Sequence, residues 1–323
     1  MSAAAAARPR VLVARTLLPA GVELLAERCE VVEGGLDVEP KRLLELAPGV
    51  AAIVADPTVA VGDELLDAAG PQLRVVANFA VGHDNVDLDA CRRRGIAVTN
   101  TPDVLTNATA ELALALTIAA ARRMSEAEAS LRAGRWVGWD PGALLGLELS
   151  GATFGVVGMG RIGRRYAELI APMAAEVLYV SRAPRPDAER ELGAVRVDLR
   201  ELLGRADVVS LHVPASPETT GLIGSSELRA MRPHAVLVNT ARGALVDSAA
   251  LAEALRTEEI GAAGLDVYEH EPEVPGELLE APRCVLLPHI GSATTKARDG
   301  MARMAAENVL AVLGGSEPPN RVV

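Results

Sequence analysis

Lysine is almost missing from this chain: Lys41 and Lys296 are the only two among 323 residues. Both fall in polar helical surroundings, which leaves Schiff-base chemistry without a desolvated amine. Aromatic residues make up 2% of the sequence, so a core must be assembled mainly from Ala, Val and Leu. The three cysteines, Cys29, Cys91 and Cys284, are isolated and odd in number. That pattern suits neither a metal site nor a disulfide framework, and it points to reduced thiols in a cytoplasmic protein. No apolar run reaches membrane-spanning length, and the short alanine run of MSAAAAARPR is not a signal-peptide core. The net charge of −11 argues against general nucleic-acid or membrane-surface binding, where basic chains are the rule.

What is present is α/β alternation. VLVA (11–14), VAAIVA (50–55), LRVVANFA (73–80) and IAVTN (96–100) read as strands, with amphipathic stretches between them. The spacing then predicts one long helix over 106–134, ended by Gly134, and a turn-rich loop over 135–149. A second series of strands begins at ATFGVVG (152–158) and runs to CVLLP (284–288), and a last helix is expected over 294–315. Two such series imply an α/β fold of two Rossmann-like or flavodoxin-like lobes. Each should hold a parallel sheet, and the cleft between lobes is a usual ligand site.

Residues 155–163, GVVGMGRIG, place Gly158, Gly160 and Gly163 in the G-x-G-x-x-G pattern. The pattern gains weight here because it follows an apolar strand and opens a helix. Gly158 permits the tight turn, Gly160 lets a pyrophosphate approach the backbone, and Gly163 lets helix pack on strand. Arg161 and Ile162 lie inside the same turn and are counted with it. About 20 residues further on, an NAD-binding strand would end in a carboxylate. Ser181 and Arg182 stand there instead, in VLYVSRAPRP (177–186). A hydroxyl and a guanidinium there remove the repulsion a carboxylate would exert on a 2′-phosphate and add a charge-assisted partner for it. NADPH is therefore the expected cofactor, with NADH the weaker one.

Of the five histidines, His289 follows an apolar strand and so sits where ligands bind in open parallel sheets. His83 and His234 fall in turns, and His270 lies between two glutamates. His212 is inside an apolar strand, either as a core histidine or facing a cofactor. Arg242 follows another strand, and Asp266, Glu269 and Glu271 follow a third. These types suit reduction of a 2-oxo acid. An arginine fork binds carboxylate and carbonyl, a histidine donates the proton, and a neighbouring carboxylate favours the protonated imidazole.

VGHDNVD (81–87), TPDVLTNATAELALAL (101–116), GMGRIGRR (158–165), VNTARGALVD (238–247), GLDVYEHEP (264–272) and LLPHIGSAT (286–294) together resemble the D-isomer-specific 2-hydroxyacid dehydrogenase family. Within it the glyoxylate/hydroxypyruvate reductases are the most similar group. The resemblance implies that Arg242 orients substrate, that His289 is the acid/base and that Glu271 pairs with it. It implies that main-chain amides at Val81 and Gly82 hold the substrate carboxylate. Asp266 would face the nicotinamide carboxamide, and Thr106 would touch the cofactor. In the 135–149 loop, Trp136 and Trp139 are read as dimer packing or, for Trp139, as a substrate contact reaching a second copy; both readings imply a homodimer. The implied domains are residues 1–100 plus 289–323 for substrate and 101–288 for dinucleotide, with no metal. The expected activity is NADPH-preferring reduction of glyoxylate and hydroxypyruvate to D-2-hydroxy acids. The alternatives are a D-3-phosphoglycerate dehydrogenase or another D-2-hydroxyacid dehydrogenase, and, from a different class, a dinucleotide-sensing co-repressor-like protein.

Overall fold

The computed structural model describes residues 8–323 and divides them into two compact units. The first runs to Leu105 and resumes at Ala293–Val323; the second is Thr106–Ser292. The divisions fall four or five residues later than those drawn at 100 and 288, so His289 lies on the second unit.

Unit 1 holds five strands: β1 Arg10–Val13, β2 Glu30–Glu33, β3 Ala52–Ala55, β4 Val75–Asn78 and β5 Ala97–Thr99. Their order is β2-β1-β3-β4-β5 and every pairing is parallel. Side chains alternate across this sheet with the period of two that a strand imposes. Val11, Val13, Ala52, Val54, Val75 and Ala77 pack on one face, partly against the helix Thr295–Leu313. Leu12, Ala14, Ile53, Ala55 and Val76 pack on the other. With both faces covered, the strands read as continuous apolar runs. β2 escapes that signature because its sequence is EVVE and it forms the half-exposed edge.

Unit 2 holds seven: β6 Thr153–Val157, β7 Glu176–Val180, β8 Val195–Arg196, β9 Val208–Leu211, β10 Val236–Asn239, β11 Ala262–Leu265 and β12 Cys284–Leu286. The order is β12-β11-β10-β9-β6-β7-β8, again all parallel. This is the dinucleotide-binding strand order with one strand added, and it reverses direction at β6. Phe154, Tyr166 and Tyr179 are fully buried here. Around them the helix Thr106–Ala121 presents Ala110, Ala113 and Ala120, small enough for it to lie close on the sheet.

The single helix expected over 106–134 is two. Arg123 adopts a left-handed conformation (φ 54°) that breaks the run, and a second helix, Met124–Arg132, follows. The edge strand β8 has two residues, Val195 and Arg196, both exposed, and is too short for its apolar pattern to mark it in the sequence.

Candidate active site

The turn after β6 is built around its glycines. Gly158 has φ 104°, and a Cβ there would lie 2.7 Å from the His212 carbonyl. A Cβ on Gly163 would lie 1.9 Å from the Gly158 oxygen. Neither position admits a side chain. Gly160 differs: a Cβ there would meet nothing within 4 Å. It begins the helix Arg161–Ile170, whose first N–H groups are the ones an anion can use. Beside them lies an open pocket of about 400 Å³, lined by Met159, Gly160, Arg161, Arg164, Arg185 and Asp187. Arg161 is exposed and Ile162 half-buried. The residues present fit a dinucleotide pyrophosphate, because the two glycines that cannot change shape the turn and the third leaves its space open.

At the end of β7, Ser181 donates its hydroxyl hydrogen to the Ala183 carbonyl. Arg182 is exposed, and its charge helps hold the Glu218 carboxyl below the usual range, after the larger effects of the Ser216 hydroxyl and the residue's own amide. Arg196 of β8, which no motif in the sequence marks, braces this corner. Its Nη2 donates to the carbonyls of Ser181 at 3.0 Å and Arg182 at 3.2 Å. Arg164 is held by Glu168, Asp187 and Glu191, so its charge is already spent within the protein.

Three adjacent strands deliver the remaining residues at their carboxyl ends. Beyond β10, the buried Asn239 amide donates to the Arg242 carbonyl at 2.8 Å, while its oxygen accepts from Ala241 N at 3.0 Å. That pair sets the backbone from which Arg242 projects. Gly243 follows, and a Cβ there would lie 1.8 Å from the Tyr268 carbonyl carbon, so the Arg242 loop abuts the loop after β11. In that second loop Glu271 Oε1 accepts from Tyr268 N at 3.0 Å, and Oε2 meets His289 Nδ1 at 2.6 Å. Burial alone would raise the Glu271 pKa. The His289 hydrogen bond and charge, the Tyr268 amide and the nearby Arg242 charge reverse this and lower it. Glu271 is therefore an ionised partner for the imidazole.

Asp266 grips the histidine loop directly. Its two carboxylate oxygens accept from Ile290 N and Gly291 N, both at 2.7 Å, and its carbonyl accepts from His289 N at 2.9 Å. Burial raises its pKa to about 6 despite these bonds and the His289 charge. His289 itself sits at φ 51°, a conformation rare outside glycine and common where a site dictates the backbone.

The other histidines separate by environment. His234 meets Asp207 at 2.8 Å near the opposite ends of the strands, beside Arg232. His212 bonds Ser210 at 2.9 Å, packs at a tilt of 41° against the Tyr166 ring, and is pushed by burial down to about 3, so it stays neutral. His270 and Glu269 are exposed. Thr106 starts the helix Thr106–Ala121 and is half-buried. Trp136 and Trp139 are 67% and 84% exposed on their loop. Val81 and Gly82 belong to unit 1, in the loop after β4. Asn78, Asn100 and Asn239 carry no signal of their own in the sequence, although each is the last residue of a strand or the one just after it. An asparagine in that position, next to apolar strand residues, is the signal that could have found them.

The family model for the D-isomer specific 2-hydroxyacid dehydrogenase NAD binding domain matches residues 114–291. The chain belongs to this family. The glyoxylate reductase of Thermococcus litoralis is 46% identical over 321 residues, covering 98% of this chain and 97% of its own. A solved Thermus thermophilus protein superposes with a TM-score of 0.91 at 48% identity, covering 97% of this chain and all of its own. The NADPH-dependent glyoxylate/hydroxypyruvate reductase of Sinorhizobium meliloti, solved with NADP and malonate, has a TM-score of 0.87 at 36% identity, with 98% and 97% coverage. As a D-2-hydroxyacid dehydrogenase family member, the protein is an NAD(P)-dependent oxidoreductase with a nicotinamide dinucleotide cofactor. Among the described residues no helix is long and apolar enough to cross a membrane, and no cluster of His, Cys, Asp and Glu could hold a metal.

Proposed function

We propose that this dehydrogenase reduces small 2-oxo acids, glyoxylate and hydroxypyruvate foremost, to 2-hydroxy acids of D configuration where a stereocentre forms, with NADPH preferred. The observation that carries the reading is the pair of His289 and the ionised Glu271 at 2.6 Å. With Nδ1–H donated to Glu271, only Nε2 is left to exchange a proton with substrate. In the protonated ring Nε2–H passes its proton to the oxygen that was the substrate carbonyl, and the ring ends neutral with its Glu271 bond intact. Arg242 presents a planar fork suited to a carboxylate beside a carbonyl, and its position is set by the Asn239 amide. In unit 1, the amides of the Val81–Gly82 loop are assigned to the substrate carboxylate.

Gly158, Gly160, Arg161, Ile162, Gly163 and Thr106 are assigned to the dinucleotide, which when bound supplies the hydride. Asp266, besides gripping the histidine loop, is assigned to the nicotinamide side of the site. Ser181 and Arg182 are assigned to the 2′-phosphate, and a hydroxyl and a guanidinium in place of the expected strand-end carboxylate support that assignment. A second copy of the chain is proposed to cover the exposed Leu131, Trp136, Val137, Trp139 and Leu145, with Trp139 reaching the partner's substrate. The cysteines are free, and burial pushes the thiols of Cys91 and Cys284 up to about 11 and about 12. Such inert thiols suit the proposed cytoplasmic location.

The test follows absorbance of the reduced cofactor with NADPH or NADH and glyoxylate, hydroxypyruvate, pyruvate or 3-phosphohydroxypyruvate. Fastest turnover is expected for glyoxylate or hydroxypyruvate with NADPH. No oxidation with any acid would defeat the enzymatic reading, and faster turnover with NADH would defeat the cofactor preference. Sedimentation at micromolar concentration should report a dimer.

A further inference from the structure

Three consecutive peptide groups in unit 1 have their carbonyls tied down. The Ala80 carbonyl accepts from Thr101 N at 2.8 Å. The Val81 carbonyl accepts from Asn100 Nδ2 at 2.8 Å, and the Gly82 carbonyl from Asn78 Nδ2 at 2.7 Å. A trans peptide is planar, so its N–H points opposite to its carbonyl. Holding these three oxygens therefore sets the directions of the N–H groups of Val81, Gly82 and His83. Among the described residues, none of those three N–H groups donates to a main-chain carbonyl.

The holding residues are themselves held. Asn78, the last residue of β4, is fully buried and exchanges amide hydrogen bonds with Asn85 at 3.0 Å in both directions. Asn85 also donates to the carbonyls of Asp56 at 2.9 Å and Val59 at 3.0 Å. Asn100 follows β5, the strand paired with β4. Its N–H donates to the Asn320 carbonyl at 3.2 Å, and its carbonyl accepts from Asn308 Nδ2 at 3.3 Å. Two part-buried amide networks of this kind, each anchored on a fully buried asparagine (Asn78 and Asn308), are costly to leave half-made, so they favour one arrangement of the loop.

We propose that Asn78 and Asn100 are positioning residues that, with the Thr101 amide, preset the N–H groups of Val81, Gly82 and His83 as a carboxylate cradle. The proposal deepens the assignment of the Val81–Gly82 loop to substrate carboxylate and rests on it. Neither asparagine touches substrate. Each acts by keeping a peptide plane from rotating, so that the donors need no reordering when the anion arrives.

The test uses the full-length chain and two readouts. In ¹⁵N-labelled protein titrated with oxamate, a 2-oxo acid analogue with no reducible ketone, the amide signals of Val81, Gly82 and His83 should move. Asn78 is fully buried and its loss threatens folding, so the half-buried Asn100 is the residue to change. Asn100→Ala should weaken oxamate binding about tenfold and raise the KM for the 2-oxo acid by about the same factor. Its kcat and its affinity for NADPH should stay within about twofold of wild type. Asn100→Gln, which keeps the donor, should recover part of the loss. If the three amides do not respond to oxamate, or if Asn100→Ala leaves oxamate affinity and KM unchanged, the proposal is overturned. If the amides respond but wild type turns over no 2-oxo acid, the cradle stands and the activity assigned above does not.

Discussion

His289 Nδ1 and Glu271 Oε2 lie 2.6 Å apart, joining the ends of two neighbouring strand connections. The contact orients the ring and places an ionised carboxylate behind it. His289→Ala is expected to lower kcat about a thousandfold, within the range for loss of a general acid, while NADPH affinity holds. Glu271→Gln keeps an acceptor for Nδ1–H but removes the charge. It should cost about ten- to a hundredfold in kcat, with cofactor titrations unchanged. Full activity in the alanine variant would remove His289 from the mechanism.

Gly158 and Gly160 should respond differently to the same added methyl group. Gly158→Ala forces a Cβ against the His212 carbonyl at φ 104°, so thermal stability itself should fall. At Gly160 a Cβ meets nothing within 4 Å, so Gly160→Ala should melt like wild type. Its methyl group would instead occupy the space assigned to the pyrophosphate, and cofactor binding should weaken at least tenfold. Calorimetry and fluorescence titration separate the two effects. A Gly160 variant with normal NADPH affinity would place the phosphates elsewhere.

Arg182→Ala should raise the KM for NADPH about tenfold while leaving that for NADH nearly alone, as expected for loss of one charge-assisted phosphate contact. Arg196→Ala should shift the same ratio by a smaller factor, because Arg196 holds the carbonyls of Ser181 and Arg182 at 3.0 and 3.2 Å. Equal changes for both cofactors would mean that this corner does not read the 2′-phosphate.

Asp266 carries a pH signature. Burial raises its pKa from the ordinary 3.8 to about 6 in the folded chain. The folded state therefore holds this proton more tightly than the unfolded state. Its stabilising effect is complete below the unfolded value of about 4 and is lost as pH rises through about 6. Asp266→Asn cannot ionise, so wild type should lose stability relative to the variant between those pH values and run parallel to it above. Urea unfolding of both proteins across that range checks this. A difference that does not change with pH would show that Asp266 ionises freely in the fold.

The sequence alone carried the α/β character, because strands buried on both faces must be written as unbroken apolar runs such as VLVA and AVLV. It carried the glycine turn for a steric reason: Gly158 and Gly163 have no room for a side chain. It also exposed the missing carboxylate at Ser181 and Arg182, since charge type at a strand end is visible in one dimension. The break at Arg123 was not legible, because the residues on either side are good helix formers and no glycine or proline marks the left-handed turn between them. Nor were the tasks of Asn78, Asn100, Asn239 and Arg196 legible. Each acts through a main-chain carbonyl, and a sequence does not record where its own carbonyls point. The tertiary structure decided that Glu271 and His289 meet across eighteen residues of chain. It did so because parallel strands bring their carboxyl ends to one edge, where residues distant in sequence become hydrogen-bonding partners.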